Sequence, residues 1–158
     1  MRRNFLRCIG ELLDQEKYGV NGRIAIIENK EAVLTVFGFK NGKWLNLWDI
    51  DSRILSLFYK SYDAEFDWFI VVYDYATFCA DKDIKEAIIW HEIGHIVYPV
   101  LEQQLNIESE IQCDGLAIKN GHQEGIRKIL NLTMKMAKTL NNETLTYITF
   151  ERQMKLPG

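Results

Sequence analysis

Residues 84–98 read IKEAIIWHEIGHIVY and contain the pattern His-Glu-x-x-His at His91, Glu92 and His95. Residues four apart lie one turn apart on the same face of an α-helix, so the two imidazoles point the same way. Such a pair can bind one metal ion, and this spacing is typical of zinc sites that keep an open position. Glu92 is placed to reach a water activated by the metal, as a general base must be.

The alternative for this stretch is a core helix whose polar side chains are hydrogen-bonded without any metal. Most other residues of the stretch are apolar, which indicates a buried helix. Burying two histidines and a glutamate is costly unless they are satisfied together, and a metal ion does so. The chain has only three histidines, and two of them fall in this register. The pattern therefore favours the metal site.

Length, charge and cysteine content limit the classes of protein. The 158 residues predict one domain, residues 1–158, large enough to bury a core. The net charge of −3, without a basic run, argues against nucleic acid or a membrane surface as partner. Cys8, Cys79 and Cys113 form no C-x-x-C pair and predict a reducing compartment. No signal-peptide core or run of about 18–20 apolar residues is present, so we expect a cytoplasmic protein.

Hydrophobic periodicity and turn signals predict an α+β fold. An Asn-Gly pair at residues 41–42 predicts a hairpin, because both central residues of a type I′ turn need positive φ. Asp83 and Glu86 resemble a capping box at the start of the motif helix, and Pro99 ends that helix near Tyr98. The predicted strands cover residues 23–28, 32–40, 43–50 and 66–73. The predicted helices cover residues 3–17, 52–62, 84–98, 107–119, 123–140 and 144–154.

The helix after the motif supplies candidates for a third metal ligand. Glu110 and Asp114 are four apart and share a face, so one can bind the metal while the other accepts the distal N–H of a ligand histidine. Cys113 is an alternative ligand, since a thiolate binds zinc better than a carboxylate does. Glu108 is a further alternative, although no acid follows it four residues later.

The pattern HExxH followed on the next helix by Glu-x-x-x-Asp resembles the gluzincin metallopeptidases, and the short spacing resembles their minigluzincin group. Residues 91–117 carry the resemblance, and the order of elements extends it. The resemblance implies a zincin-like fold, with a small mixed or antiparallel sheet of about four strands packed on an N-terminal helix, the motif helix and a ligand helix. It also implies one Zn²⁺ on His91, His95 and Glu110, a histidine oriented by Asp114, and peptide-bond hydrolysis with Glu92 as general base.

The resemblance further implies a tyrosine or histidine that stabilises the transition state. The candidates are His122, Tyr98 and Tyr147. The alternative for His122 is a residue without a catalytic role that caps its turn or is exposed there. A protein or peptide substrate would lie antiparallel to an edge strand. The strand expected to bind the substrate in this way is formed by Phe66, Asp67, Trp68, Phe69, Ile70, Val71, Val72 and Tyr73.

Two other functions remain compatible with the sequence. One is a binding or structural module that keeps the fold without catalysis. The other is a hydrolase of a non-peptide amide, because HExxH specifies activation of water and not the substrate.

Overall fold

The computed structural model describes residues 9–99 and 107–158, and these form a mixed α+β structure around one four-stranded sheet. The strands are β1 (Ile9–Leu12), β2 (Ile24–Glu28), β3 (Ser56–Lys60) and β4 (Trp68–Val72). Their order across the sheet is β1-β2-β4-β3. The central pair, β2 and β4, is parallel, and both outer pairs are antiparallel. The predicted α+β class and mixed sheet of about four strands are thus confirmed.

Helices cover both faces of this sheet. The described ranges contain α1 (Gln15–Tyr18), α2 (Lys30–Phe37), α3 (Lys43–Leu47), a 3₁₀ turn (Ser52–Ile54), α4 (Tyr75–Phe78), α5 (Lys82–Val97), α6 (Ile107–Lys119), α7 (Gln123–Thr139) and α8 (Glu143–Met154). Alternate strand residues point to opposite faces. Ile26 and Ile70 therefore pack with α5, α6 and α7, whereas Ile27 and Phe69 pack with residues of α2 and α3.

The second half of the chain folds largely as its sequence pattern predicts. The motif helix, the ligand helix and the two C-terminal helices are present as α5, α6, α7 and α8, and the strands at 23–28 and 66–73 are present as β2 and β4. The start of α5 differs, because the carboxylate of Asp81 accepts the N–H of Ile84 and caps the helix two residues before the predicted Asp83.

Glu86 also differs from its predicted capping role. It is buried in α5 and accepts hydrogen bonds from the Tyr18 hydroxyl at 2.7 Å and the Lys17 ammonium at 2.7 Å. Burial of the carboxyl opposes its ionisation, but the bonds from Lys17 and Tyr18 outweigh burial and hold the pKa of Glu86 below its ordinary value. Glu86 thus ties α1 to the back of the motif helix.

The predicted hairpin at 32–40 and 43–50 is wrong, since both segments are helical. The Asn29 side chain accepts the N–H of Ala32 and caps α2, and Gly38 ends that helix at φ +79°. Gly42 has φ −68°, which excludes the type I′ turn that the Asn-Gly pair suggested. Local caps therefore decide this region against the strand preference of its aromatic and β-branched residues.

Two predicted helices also become strands. Residues 52–62 contain only a 3₁₀ turn capped by Asp51, after which β3 pairs antiparallel with β4. The helix predicted over 3–17 is wrong at residues 9–12, which form β1, and right at α1; its first six residues lie outside the described ranges. A register shift between Ile9 and Glu11 marks a bulge in this strand.

The predicted substrate-binding edge strand is not at an edge. β4 pairs with β2 on one side and β3 on the other, so its backbone groups are already used within the sheet. This excludes strand addition along residues 66–73. The outer strand beside β4 is β3.

Candidate metal centre

The site lies between α5 and α6, which approach each other closely at Gly94. A Cβ atom on Gly94 would lie 2.8 Å from both the Cα and the Sγ of Cys113. Only a residue without a side chain permits this approach. As a result, the face of α5 that carries His91 and His95 meets the face of α6 that carries Glu110.

Both motif histidines lie close to the carboxylate of Glu110. The Nε2 atom of His91 lies 3.6 Å from Oε1 of Glu110, and the Nε2 atom of His95 lies 3.2 Å from its Oε2. One ligand atom from each of these residues and from Cys113 lies within 4.8 Å of the others. This cluster could hold a metal ion, and it contains His91, His95 and Glu110, the three ligands that the resemblance implies.

A buried chain of hydrogen-bonded side chains orients His91 through the Nδ1 atom of its ring. Its Nδ1 atom lies 2.8 Å from Oδ1 of Asp114, as expected for a carboxylate that fixes the tautomer of a ligand histidine. Asp114 in turn accepts hydrogen bonds from Nε of Arg152 at 2.8 Å and from an Nη atom at 2.7 Å. Both side chains are at most one-tenth exposed.

Sequence reasoning missed Arg152, which α8 brings into the site. Its signal is present in the sequence, because Leu145, Ile148, Thr149 and Arg152 recur at three- and four-residue spacing. Ile148 and Thr149 are buried, so Arg152 continues the inward face of the helix. A cation on a buried face requires an acidic partner, but the pattern does not reveal which acid it is.

The charges of the cluster support one another. Burial of His91 opposes its protonation, but its bonds to Asp114 and Glu110 outweigh burial and raise the pKa of His91 to about 9. Burial likewise opposes ionisation of Glu110, and the two histidines outweigh it and lower the pKa of that carboxyl. Since metal ligands must be deprotonated, a metal ion held by this cluster would have to displace a proton from it.

Glu92 differs from the other acids of the site. Its side chain is one-tenth exposed, and Oε1 lies 4.0 Å from Nε2 of His91. Burial raises the pKa of Glu92, while the charges of His91 and His95 only partly oppose this effect. Glu92 thus stands beside the cluster without belonging to it.

The two alternative ligands have distinct positions. Glu108 is exposed on α6 and does not belong to the cluster. Cys113 is fully buried, and its Sγ atom lies 3.6 Å from Nδ1 of His95, the ring atom that faces away from Glu110. Burial, and to a lesser extent the neighbouring carboxylates, together raise the pKa of the Cys113 thiol to about 12.

A cavity of about 190 Å³ adjoins the cluster. His91, Glu92, Glu110 and Arg152 form its polar wall. The remaining wall is largely apolar and comes from the 3₁₀ turn, from the start of β3 and from helices on both sides of the sheet: Phe37, Ile54, Ser56, Ile88, Ile126, Ile129, Thr133, Met136 and Leu145.

None of the three predicted transition-state stabilisers lines this cavity. The His122 ring stacks on Trp90 at 6.4 Å, on the side of α5 that carries Glu86. Tyr147 lines a separate groove between α7 and α8 with Phe150. Tyr98 ends α5 and is 37 % exposed.

Comparison of the chain with protein-family models, with curated proteins and with solved structures gives no match. Among the helices of the described ranges, none has the length and apolar character needed to cross a membrane.

Proposed function

We propose that this protein is a zinc-dependent peptidase that hydrolyses peptide bonds with Glu92 as general base. The observation that carries the proposal is the position of Glu92, a buried carboxylate 4.0 Å from the His91 Nε2 atom but outside the ligand cluster. A site that only stabilises the fold has no use for such an acid. A hydrolytic site needs one to accept a proton from water.

The donor set fits Zn²⁺. Zinc bonds of about 2.0–2.2 Å in a tetrahedron put neighbouring ligand atoms about 3.3–3.6 Å apart. The two Glu110 oxygens lie at comparable distances from the histidines, Oε1 at 3.6 Å from Nε2 of His91 and Oε2 at 3.2 Å from Nε2 of His95. One ligand atom from each of the three residues lies within 4.8 Å of the others, so a small shift of the side chains brings them to zinc-bonding distance. His91, His95 and Glu110 would hold the ion as three protein ligands, which is the number found in catalytic zinc sites. When bound, zinc lowers the pKa of a coordinated water from 15.7 to about 7 and polarises a carbonyl group.

The protein residues then have separate tasks. Glu92 accepts the proton of the attacking water and transfers it to the leaving amine, and burial raises the pKa of its carboxyl, which favours uptake of that proton. Asp114 accepts the Nδ1–H of His91, which keeps Nε2 free to bind the metal. Arg152 holds Asp114 in place through its two hydrogen bonds.

The outer strand β3 and the cavity favour a peptide substrate. Ser56 of β3 lines the cavity, and the ring of Phe58 lies 6.2 Å from that of His95. An extended peptide can therefore add to β3 and pass the cluster. An apolar cavity of about 150 Å³ holds a benzene molecule, so 190 Å³ accommodates a large apolar side chain such as that of Phe or Leu.

The test compares zinc-loaded wild type with Glu92→Gln on a defined mixture of synthetic peptides, followed by mass spectrometry. We expect wild type to cleave peptides beside large apolar residues, and Glu92→Gln to bind zinc equally but to cleave at least about 100-fold more slowly. Glu108→Gln is the matched control, because it alters an exposed acid of α6 outside the cluster.

Full-rate cleavage by Glu92→Gln would contradict the mechanism. Hydrolysis of simple amide probes with no peptide cleaved would favour the non-peptide alternative. Zinc binding without hydrolysis of either substrate would favour the non-catalytic module.

A further inference from the structure

We infer that Cys113 is a positioning residue for His95, with its sulfur accepting the Nδ1–H of that imidazole and not binding the metal. The inference rests on the proposed zinc site. It differs from that proposal in concerning the second histidine, for which the sequence pattern supplies no carboxylate partner.

The contact geometry carries this assignment. The Sγ atom of Cys113 lies 3.6 Å from Nδ1 of His95, while Nε2 of the same ring lies 3.2 Å from Glu110. A sulfur atom on the Nδ1 side of the ring is suited to fix the tautomer. A proton held on Nδ1 leaves the Nε2 lone pair directed at the position between the two histidines and Glu110.

The packing around Cys113 keeps the sulfur in this place. Cys113 is fully buried, and the close approach at Gly94 leaves a hypothetical Cβ only 2.8 Å from Sγ. This contact with α5 holds Sγ beside His95. The two ligand histidines are thus oriented by chemically different partners, a carboxylate for His91 and a thiol for His95.

Zinc affinity, measured by competition with a chelator, tests the contribution of the sulfur. Cys113→Ala is expected to weaken zinc binding about 10–100-fold, the usual effect of losing a partner of a ligand histidine. Because Cys113 is fully buried, Cys113→Ala also loses packing, so thermal unfolding of the metal-free protein is measured beside the zinc affinity and shows whether the variant still folds. Cys79→Ala is the matched control, a second cysteine outside the cluster, and should bind zinc as wild type does.

The absorption spectrum of the Co²⁺-loaded wild type tests whether the sulfur is a ligand, and it does not require any variant to fold. We expect no sulfur-to-cobalt charge-transfer band. Such a band in wild type, lost in Cys113→Ala, would assign the thiolate as a ligand and overturn the inference.

Undiminished zinc affinity in Cys113→Ala would also overturn the inference and leave the proposed peptidase untouched. A wild-type protein that binds neither ion would overturn both. If Cys113→Ala does not fold, Cys113→Ser replaces it. The serine side chain is shorter than that of cysteine, but its hydroxyl oxygen still accepts a hydrogen bond. The zinc affinity of Cys113→Ser should therefore fall by less than 10-fold.

Discussion

Replacing Arg152 with methionine should strongly destabilise the metal-free protein. Methionine keeps most of the side chain's packing but removes the two hydrogen bonds, at 2.8 and 2.7 Å, that Arg152 donates to Asp114. The side chains are 10 % and 5 % exposed, so Asp114 would remain as a buried charge that keeps only His91, at 2.8 Å, as its partner. Removing one member of a buried pair costs about 3–5 kcal/mol. A whole domain is stable by only about 5–15 kcal/mol.

Urea unfolding at neutral pH, followed by circular dichroism in the presence of a chelator, measures this loss. Arg127→Met is the matched control on α7. Its pair with Glu124 spans 3.6 Å, and its side chains are 40 % and 65 % exposed, so we expect a loss below about 1 kcal/mol. The reasoning is refuted if Arg152→Met loses no more stability than Arg127→Met does.

The double variant Arg152→Met, Asp114→Asn measures how far the contributions of the two residues to stability depend on each other. The double variant carries no buried carboxylate that has lost its guanidinium partner, so the two single losses should not add. Strict additivity would indicate that the two residues act independently.

Three further predictions concern packing, pH and the cavity. Gly94→Ala should cost about 1–3 kcal/mol in the free energy of unfolding and weaken zinc binding, because the new Cβ meets Cys113 at 2.8 Å; urea unfolding at wild-type stability would contradict this. The pKa of Glu86 is lower in the folded protein than its ordinary value of 4.5. Its ionised carboxylate therefore stabilises the fold at pH values above 4.5, and this stabilisation is lost as the pH falls through the pKa of the folded protein. Glu86→Gln should therefore destabilise most at pH 7, and a constant difference between pH 7 and pH 3 would exclude this linkage. Thr133→Phe should fill the cavity and weaken a zinc-binding hydroxamate with a benzyl side chain at least 10-fold in calorimetry, whereas Thr139→Phe on the exposed side of α7 should leave its affinity unchanged.

The core of the site could be predicted from sequence because its geometry is local. Helical spacing alone puts His91 and His95 on one face, and the same spacing pairs Glu110 with Asp114. A metal held by two histidines needs a third ligand, and the helix that follows the motif is expected to supply it because it carries the acids. The structure brings these four residues together as that argument expects.

Contacts between distant parts of the chain could not be predicted from helical spacing. Arg152 reaches Asp114 across 38 residues, and nothing in the spacing of either helix identifies the other as its partner. The position of β4 inside the sheet depends on the pairing of three strands, so an apolar strand could not be distinguished from an edge strand. The thiol of Cys113 is oriented by the close approach at Gly94, which the pattern of α5 alone does not reveal.

The errors before residue 60 have a different cause. Residues 30–47 contain several Val, Phe and Trp residues, which favour strands in isolation, but the Asn29 cap and the positive φ of Gly38 delimit the helix Lys30–Phe37. β3 is covered by protein on both faces, with Leu57 in one core and Phe58 packed against the other. Such a strand lacks the alternation of apolar and polar residues that would identify it.

The zinc content of the purified protein tests the central claim most directly. Wild type and His95→Ala are dialysed against zinc at neutral pH, then against metal-free buffer, and the retained metal is measured by atomic emission. If His91, His95 and Glu110 hold the ion, wild type retains one zinc per chain and His95→Ala retains almost none. Wild type without stoichiometric zinc, or equal retention by His95→Ala, would contradict the account.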